Sequence, residues 1–117
     1  ISQLKEMETD SWMKKYIFPG GVIPSLREIV CSMGNDDFHI LDIENLRRHY
    51  EKTLLYWADN FHNHLDKISE MFDEKFIRMW DLYLNACAAN FHVGGIDLHQ
   101  ILVTKGVNNE LPLTRWY

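Results

Sequence analysis

The chain has 117 residues, 46% hydrophobic and 25% charged, which is the balance of a single globular domain and excludes a disordered tail. Its 17 acidic and 12 basic residues give a formal net charge of −5, which argues against a nucleic-acid binder and against strong electrostatic docking on anionic lipid. No stretch reaches the roughly 18 consecutive apolar residues of a membrane span, and two cysteines are too few for a disulfide framework and fit a reducing interior.

Two short helices are predicted near the start of the chain. Asp10 is a suitable cap for a helix that runs through Tyr16. Pro24 suits the first turn of a second helix, which is predicted to reach about Ser32 and to stop at Gly34. Pro24 and Gly34 thus mark the predicted start and end of the second helix.

A short strand and two long helices follow. Residues 38–44 are rich in β-branched and aromatic side chains and predict the strand. From Asn45, a suitable cap, bulky residues recur every three or four positions, which predicts one helix to Ile68. A second run with the same spacing begins after Asp73 and ends at Gly94. Because the join is short, we expect these two helices to fold back as a hairpin.

The last predicted element is a strand over residues 96–105. Its unbroken Ile-Leu-Val centre indicates burial on both faces. A sheet of only two strands is marginally stable alone. We therefore expect either that the chain is the end of a larger α/β fold, or that the exposed edge of strand 96–105 pairs with a second copy in a homodimer.

No strong metal or nucleophile motif stands out. His62 and His64 are the only close histidine pair, and helix residues two apart do not face each other, so we expect no metal site. Cys87 shares a helical face with Tyr83 and Phe91, where a small thiol is usually a packing residue rather than a nucleophile.

The aromatic stripes of the two long helices admit two interpretations. Pattern alone favours an ordinary core between two amphipathic helices. The alternative is an apolar cavity with a few polar groups, because Tyr50, Tyr83 and Cys87 each place a polar atom on an otherwise apolar face. A buried tyrosine hydroxyl needs a hydrogen-bond partner, which a ligand could supply. The spacing does not separate the two.

Four segments together resemble a known family. They are YIFPGGVIPS from Tyr16, HYEKTLLYW from His49, YLNACAANF from Tyr83 and IDLHQILVTKG from Ile96. In that order and at those intervals, the chain resembles the C-terminal part of the cyclopropane fatty acid synthases and mycolic acid cyclopropane synthases, over about residues 10–105. Those proteins are S-adenosylmethionine-dependent methyltransferases that act on unsaturated acyl chains.

The resemblance implies an α/β fold. It is the C-terminal part of a Rossmann-like class I methyltransferase, with four helices plus an antiparallel strand pair that forms the last two strands of the sheet. Residues 1–117 would be a C-terminal fragment of one methyltransferase domain, with the cofactor-binding half upstream. Ile1 is not an initiator methionine, so we expect residue 1 to be a boundary within a longer protein.

The resemblance also implies a site. In the family, the alkene attacks the methyl group of S-adenosylmethionine, and a bound bicarbonate ion removes a proton as the ring closes. By resemblance Tyr50 is the catalytic bicarbonate ligand, which suits a hydroxyl donor beside an anion in an apolar pocket. The residues that match the family's substrate pocket are Phe18, Leu54, Tyr83, Cys87 and Phe91. All cofactor contacts are expected upstream of Ile1.

We therefore expect a fragment of a cyclopropane-fatty-acyl-phospholipid synthase, which transfers a methylene from S-adenosylmethionine to the double bond of an unsaturated phospholipid acyl chain. The fragment alone is expected to be inactive. The complete protein would be cytoplasmic, contacting the inner face of the membrane peripherally and binding no nucleic acid. Two alternatives stay open: a non-catalytic, self-associating or lipid-binding helical module, and a fatty-acid methyltransferase of the same family that does not close the ring.

Overall fold

The computed structural model describes residues 1, 7–8 and 10–114. In chain order the elements are β1 (Met7–Glu8), α1 (Ser11–Tyr16), β2 (Val22–Ile23), α2 (Leu26–Asn35), β3 (Phe38–Asn45), α3 (Arg47–Asn63), α4 (Leu65–Ser69), α5 (Glu74–Val93) and β4 (His99–Lys105). The described residues fall into two compact units, one within residues 1–44 and 99–114 and the other of residues 45–98.

The first unit contains two short sheets. β1 pairs antiparallel with β2, so that Met7 lies opposite Ile23 and Glu8 opposite Val22. The sequence did not predict this ribbon, since strands of two residues are too short to show an alternating pattern. β3 and β4 form the second sheet, which is the antiparallel strand pair of the predicted fold class.

Side-chain caps begin both helices of this unit. The Asp10 carboxylate accepts a hydrogen bond of 2.8 Å from the backbone N–H of Trp12, as the sequence predicts for α1. At α2 the cap is Ser25, so Pro24 precedes the helix instead of lying in its first turn as predicted. The Ser25 hydroxyl accepts from the backbone N–H of Glu28, and the Glu28 carboxylate accepts in return from the backbone N–H of Ser25 at 2.7 Å. This capping box satisfies donors that the first helical turn leaves free.

The predicted end of α2 at Gly34 was wrong. The helix continues through Gly34 to Asn35, because a single glycine inside a helix costs only about 1 kcal/mol. The chain then turns at Asp37, which adopts the left-handed conformation with φ at 61°. Aspartate tolerates that conformation better than most residues, so the turn needs no glycine.

The two predicted strands are both present, with changed bounds. β3 extends the predicted segment by one residue, to Asn45. β4 begins at His99, so residues 96–98 are not strand. The predicted burial of its Ile-Leu-Val centre on both faces was wrong, because residues 101–104 are only half-buried. Among the described residues β4 has β3 as its sole partner, which leaves its other edge unpaired there.

The second unit is the predicted helical hairpin, in which α3 packs against α5. Its buried core consists of Leu54, Ala58, Phe61, Leu84, Ala88 and Phe91. At α5 the predictions are confirmed: the Asp73 carboxylate accepts from the backbone N–H of Phe76 at 2.8 Å, and Gly94 ends the helix with φ at 77°. In the described part of the chain, no helix is long and apolar enough to span a bilayer.

The predicted single helix over residues 45–68 is interrupted at His64, which makes five helices rather than four in the described structure. The His64 ring nitrogen Nδ1 lies 2.7 Å from the Asn60 carbonyl oxygen, the acceptor that the His64 backbone N–H would bind in a continuous helix. The backbone N–H bonds to the Phe61 carbonyl instead. A side chain that competes for a backbone acceptor in this way ends α3.

Candidate active site

Five of the six predicted site residues lie in the hairpin, on the facing sides of α3 and α5. Leu54 and Phe91 belong to the buried core, and Tyr50, Tyr83 and Cys87 are half-buried side chains packed against it. The structure therefore brings these five residues together, and we refer to them as the hairpin cluster. Helical spacing on each helix is the reason, since residues three or four apart share one face.

The sixth residue, Phe18, lies in the first unit, two residues after the end of α1 at Tyr16. Its backbone N–H donates to the Met13 carbonyl at 2.8 Å, and its carbonyl accepts from the N–H of Gly21 at 2.9 Å. The Phe18 side chain is half exposed within this turn. Its assignment to the substrate pocket stays a prediction from the sequence.

The Tyr50 ring is held by two aromatic neighbours. Its centroid lies 5.1 Å from that of Phe91 and 5.9 Å from that of Trp57, with interplanar angles of 70° and 79°. Edge-to-face contacts of this kind favour one ring orientation and so fix where the hydroxyl lies. Among the described residues that hydroxyl has no hydrogen-bond partner. It is a donor beside apolar rings, which is the chemistry that suits an anion.

Tyr83 and Cys87 lie one helical turn apart on α5 and are hydrogen-bonded to each other. Burial is the main reason that the pKa of Tyr83 rises to about 12, with further contributions from Cys87 and Tyr50. Burial also raises the pKa of the Cys87 thiol, and the hydrogen bond from Tyr83 offsets part of that rise. Because its pKa is raised, Cys87 presents a neutral thiol at neutral pH. A nucleophilic cysteine needs a lowered pKa instead.

We expect the chain to lose stability as the pH rises from about 10 to about 12, because the folded state holds the Tyr83 proton more tightly than the unfolded state. The pKa of Tyr83 is raised from 10.0 to about 12, so its contribution is complete below pH 10 and lost as the pH passes 12. The measurement is the free energy of unfolding at pH 9 and pH 11. The free energy of unfolding should fall less between pH 9 and pH 11 in Tyr83→Phe than in the wild type. In Tyr56→Phe, which removes an exposed hydroxyl, it should fall by as much as in the wild type. Identical losses in all three proteins would contradict the assignment.

A polar network joins the start of α3 to the end of α5. The Arg47 guanidinium donates through Nη1 to the carbonyl of Phe91 and, at 2.9 Å, to that of His92. Its Nε lies 3.7 Å from Oδ1 of Asp97, which also accepts from Nδ2 of Asn45 at 3.2 Å. The Asn45 side-chain oxygen accepts from the backbone N–H of Arg47 at 2.9 Å. Sequence reasoning missed Arg47 and Asp97, since residues this far apart carry no local signal.

The two neighbouring histidines have separate partners. His62 Nε2 lies 3.1 Å from the Asp81 carboxylate, whereas the His64 ring contacts the Asn60 carbonyl. Across residues 1, 7–8 and 10–114, no group of three or more His, Cys, Asp or Glu side chains is arranged to hold a metal ion.

Comparison with known proteins gives a consistent result. Residues 2–101 match the family described as mycolic acid cyclopropane synthetase. The chain is 41% identical over 107 residues to a probable fatty acid methyltransferase of Pseudomonas putida, covering 89% of this chain and 27% of that protein. It is 37% identical over 114 residues to the cyclopropane-fatty-acyl-phospholipid synthase of Escherichia coli strain K12, covering 97% of this chain and 30% of that protein.

Solved structures with a similar fold come from the same group of proteins. A cyclopropane synthase from Mycobacterium tuberculosis matches with a TM-score of 0.76 and 28% identity, over 79% of this chain and 32% of that one. A mycolic acid cyclopropane synthase complexed with SAH and CTAB matches with a TM-score of 0.75 and 27% identity, with the same coverage of 79% and 32%. The chain thus spans less than a third of the length of each protein it matches here.

Proposed function

Because the chain belongs to the mycolic acid cyclopropane synthetase family, we propose that it is the C-terminal part of an enzyme that modifies unsaturated phospholipid acyl chains. The reaction would transfer a methylene from S-adenosylmethionine to the double bond and close a cyclopropane ring. The E. coli relative, named for this reaction, supports the proposal because it aligns with 97% of the chain. SAH, which remains after S-adenosylmethionine gives up its methyl group, accompanies the long-chain detergent CTAB in one similar structure.

The observation that carries the proposal is the Tyr50 hydroxyl, a donor beside the rings of Phe91 and Trp57 with no partner among the described residues. This donor fits bicarbonate, because a hydrogen bond to an anion is strong where the surroundings are apolar. When bound, S-adenosylmethionine supplies the methyl carbon and bicarbonate supplies the base for the proton that is lost. The role of Tyr50 would be to hold that base in place.

The other members of the hairpin cluster would bind the acyl chain. Leu54 and Phe91 belong to the buried apolar core against which Tyr50, Tyr83 and Cys87 pack, and their place in the pocket rests on the sequence match. The neutral thiol of Cys87 adds no competing nucleophile. Burial keeps the Tyr83 hydroxyl protonated far above neutral pH, so it adds no charge beside an alkyl chain. Phe18 joins this proposal on its sequence match alone. The cofactor would be bound by the part of the enzyme upstream of this chain, so residues 1–117 alone would be inactive.

Tyr50→Phe in the complete enzyme tests this function. We expect methyl transfer to unsaturated phospholipid to fall by about tenfold or more, the scale of a lost hydrogen bond to a charged group, while the affinity for S-adenosylmethionine stays unchanged. Tyr56→Phe is the matched control, because Tyr56 lies on the same helix with its side chain exposed. Wild-type turnover in Tyr50→Phe would leave Tyr50 as a packing residue and refute the site.

A second candidate is a fatty-acid methyltransferase that leaves a methyl branch instead of a ring. The P. putida relative favours it, because it is 41% identical and is named a probable fatty acid methyltransferase. Proton NMR of the lipid product separates the two reactions, since only a cyclopropane gives upfield ring-proton signals.

Location and assembly are part of the same proposal. An acyl chain of a phospholipid lies in a bilayer, so the complete enzyme would contact the inner face of the membrane peripherally from the cytoplasm. A homodimer through the edge of β4 is the alternative to the larger fold of the complete enzyme, because that edge has no partner strand among the described residues.

A further inference from the structure

Asp97 is a buried carboxylate that requires compensation. Its residue is 3% exposed, in the segment between the end of α5 and the start of β4. A charge left without compensation at such a depth destabilises a fold. Arg47 and Asn45 both approach the same carboxylate oxygen, at 3.7 Å and 3.2 Å. These three residues therefore form one unit, which we call the Arg47 clamp.

The clamp also holds the C-terminus of α5. The last carbonyls of a helix have no partner within the helix and carry its partial negative charge. Arg47 donates to two of them, those of Phe91 and His92. Since Arg47 is the first residue of α3, the guanidinium ties the beginning of one helix to the end of the other.

The contact between Arg47 and the end of α5 lies close to the candidate catalytic residue, Tyr50. Tyr50 follows Arg47 by three residues on α3, close to one helical turn. Phe91, whose carbonyl Arg47 binds, is also the residue whose ring meets the Tyr50 ring edge-on at 5.1 Å. One side chain thus fixes both the helix that carries Tyr50 and the aromatic wall against which Tyr50 rests.

We propose that Arg47 is a positioning residue for Tyr50, which through the Phe91 backbone and the Asp97 carboxylate fixes where the Tyr50 hydroxyl meets its anion. The functional part of this inference rests on the proposed function. Arginine suits the task because its fork reaches several acceptors at once, which the single ammonium of lysine does not. Arg48, the next residue along α3, is exposed and serves as a control for charge removal.

The structural half is tested on the 117-residue chain itself, without substrate or bicarbonate. The five tyrosines are replaced by 3-fluorotyrosine, and Tyr50→Phe identifies the Tyr50 signal by its disappearance from the fluorine NMR spectrum. Arg47→Met is expected to shift and broaden the Tyr50 signal and to leave the exposed Tyr56 signal in place. Arg48→Met is expected to change neither. An unmoved Tyr50 signal in Arg47→Met would overturn the inference.

The functional half is tested on the complete enzyme by varying the bicarbonate concentration. Arg47→Met is expected to raise the half-saturating bicarbonate concentration by about tenfold, the lower end of the range found when a residue that orients a metal ligand is removed. Saturating bicarbonate should restore most of the rate, Arg47→Lys should fall between, and Arg48→Met should match the wild type. A loss of rate with unchanged bicarbonate dependence would mean that Arg47 only supports the fold.

Misfolding of Arg47→Met and an unimportant Tyr50 hydroxyl give results that can be told apart. If Arg47→Met does not fold, Arg47→Lys decides by the same fluorine signal and the same half-saturating concentration. If Tyr50→Phe keeps wild-type turnover, the proposed role of Tyr50 fails, and with it the functional half of this inference, although the activity itself stands. The fluorine result on the isolated chain is independent of that outcome and still decides whether Arg47 positions the Tyr50 ring.

Discussion

Leu54→Ala is expected to lower the free energy of unfolding by about 2–5 kcal/mol, the range for large-to-small changes in a packed core. Leu54 is 1% exposed and lies in the buried core between α3 and α5. Its neighbours there include Ala58 and Ala88, whose short side chains cannot extend into the space left behind. The cavity would therefore stay open, and the loss is a large fraction of the roughly 5–15 kcal/mol that stabilises a typical domain.

The adjacent residue provides the control. Leu55 has the same side chain on the same helix but is 45% exposed. Leu55→Ala should change the free energy of unfolding by about 0.5 kcal/mol or less, as most surface substitutions do. Urea denaturation followed by far-ultraviolet circular dichroism measures both variants. Similar losses for the two would show that α3 does not pack through the face that contains Leu54.

Phe91→Ala is expected to lower the free energy of unfolding by about 3–5 kcal/mol and to remove the wall beside Tyr50. Phe91 is 6% exposed, and its ring meets that of Tyr50 at 5.1 Å. The Arg47 hydrogen bond goes to the Phe91 backbone carbonyl and is available to any residue at this position. The substitution therefore removes the effect of the Phe91 ring while leaving the hydrogen bond from Arg47 in place.

Phe91→Leu and Phe72→Ala complete this experiment. Leucine keeps most of the buried volume but removes the aromatic edge, so Phe91→Leu should retain more stability than Phe91→Ala while the Tyr50 ring loses its partner. Phe72 is an exposed ring outside the core that stacks on Phe76 at 4.2 Å. Its removal should cost about 0.5–1.5 kcal/mol, the value of an aromatic pair. Denaturant titration of the three variants checks this order, and a loss in Phe72→Ala equal to that in Phe91→Ala would contradict it.

Features governed by local interactions were predictable from the sequence. The helix α5 begins after Asp73 and ends at Gly94 as predicted, because capping hydrogen bonds and the left-handed conformation of glycine involve only nearby backbone groups. The hairpin of α3 and α5 follows from helical spacing and a short join. The α/β fold class and the family resemblance, drawn from four short segments, are also confirmed.

Other features depend on competition that a local pattern does not show. The bulky residues continue in helical spacing past His64, yet the His64 ring takes the Asn60 carbonyl and ends α3 there. Residues 96–98 resemble the strand that follows them, yet Asp97 is drawn into the Arg47 clamp. At His64 a contact with a nearby backbone carbonyl competes with the helix, and at Asp97 the side chain binds Asn45 and Arg47, which lie far away in the sequence.

The sequence by itself determined the helical hairpin, through periodicity and caps, and the family and fold class, through the resemblance of four short segments, because all of these are local properties of the chain. The choice of Tyr50 and its companions as site residues stays a prediction from that resemblance. Tertiary structure alone decided that Tyr50 rests against Phe91 and that Arg47 joins α3 to α5. The partners in those contacts are 41 and 44 residues apart in the sequence. Contacts over such distances exist only once the two helices have packed, which no local pattern encodes.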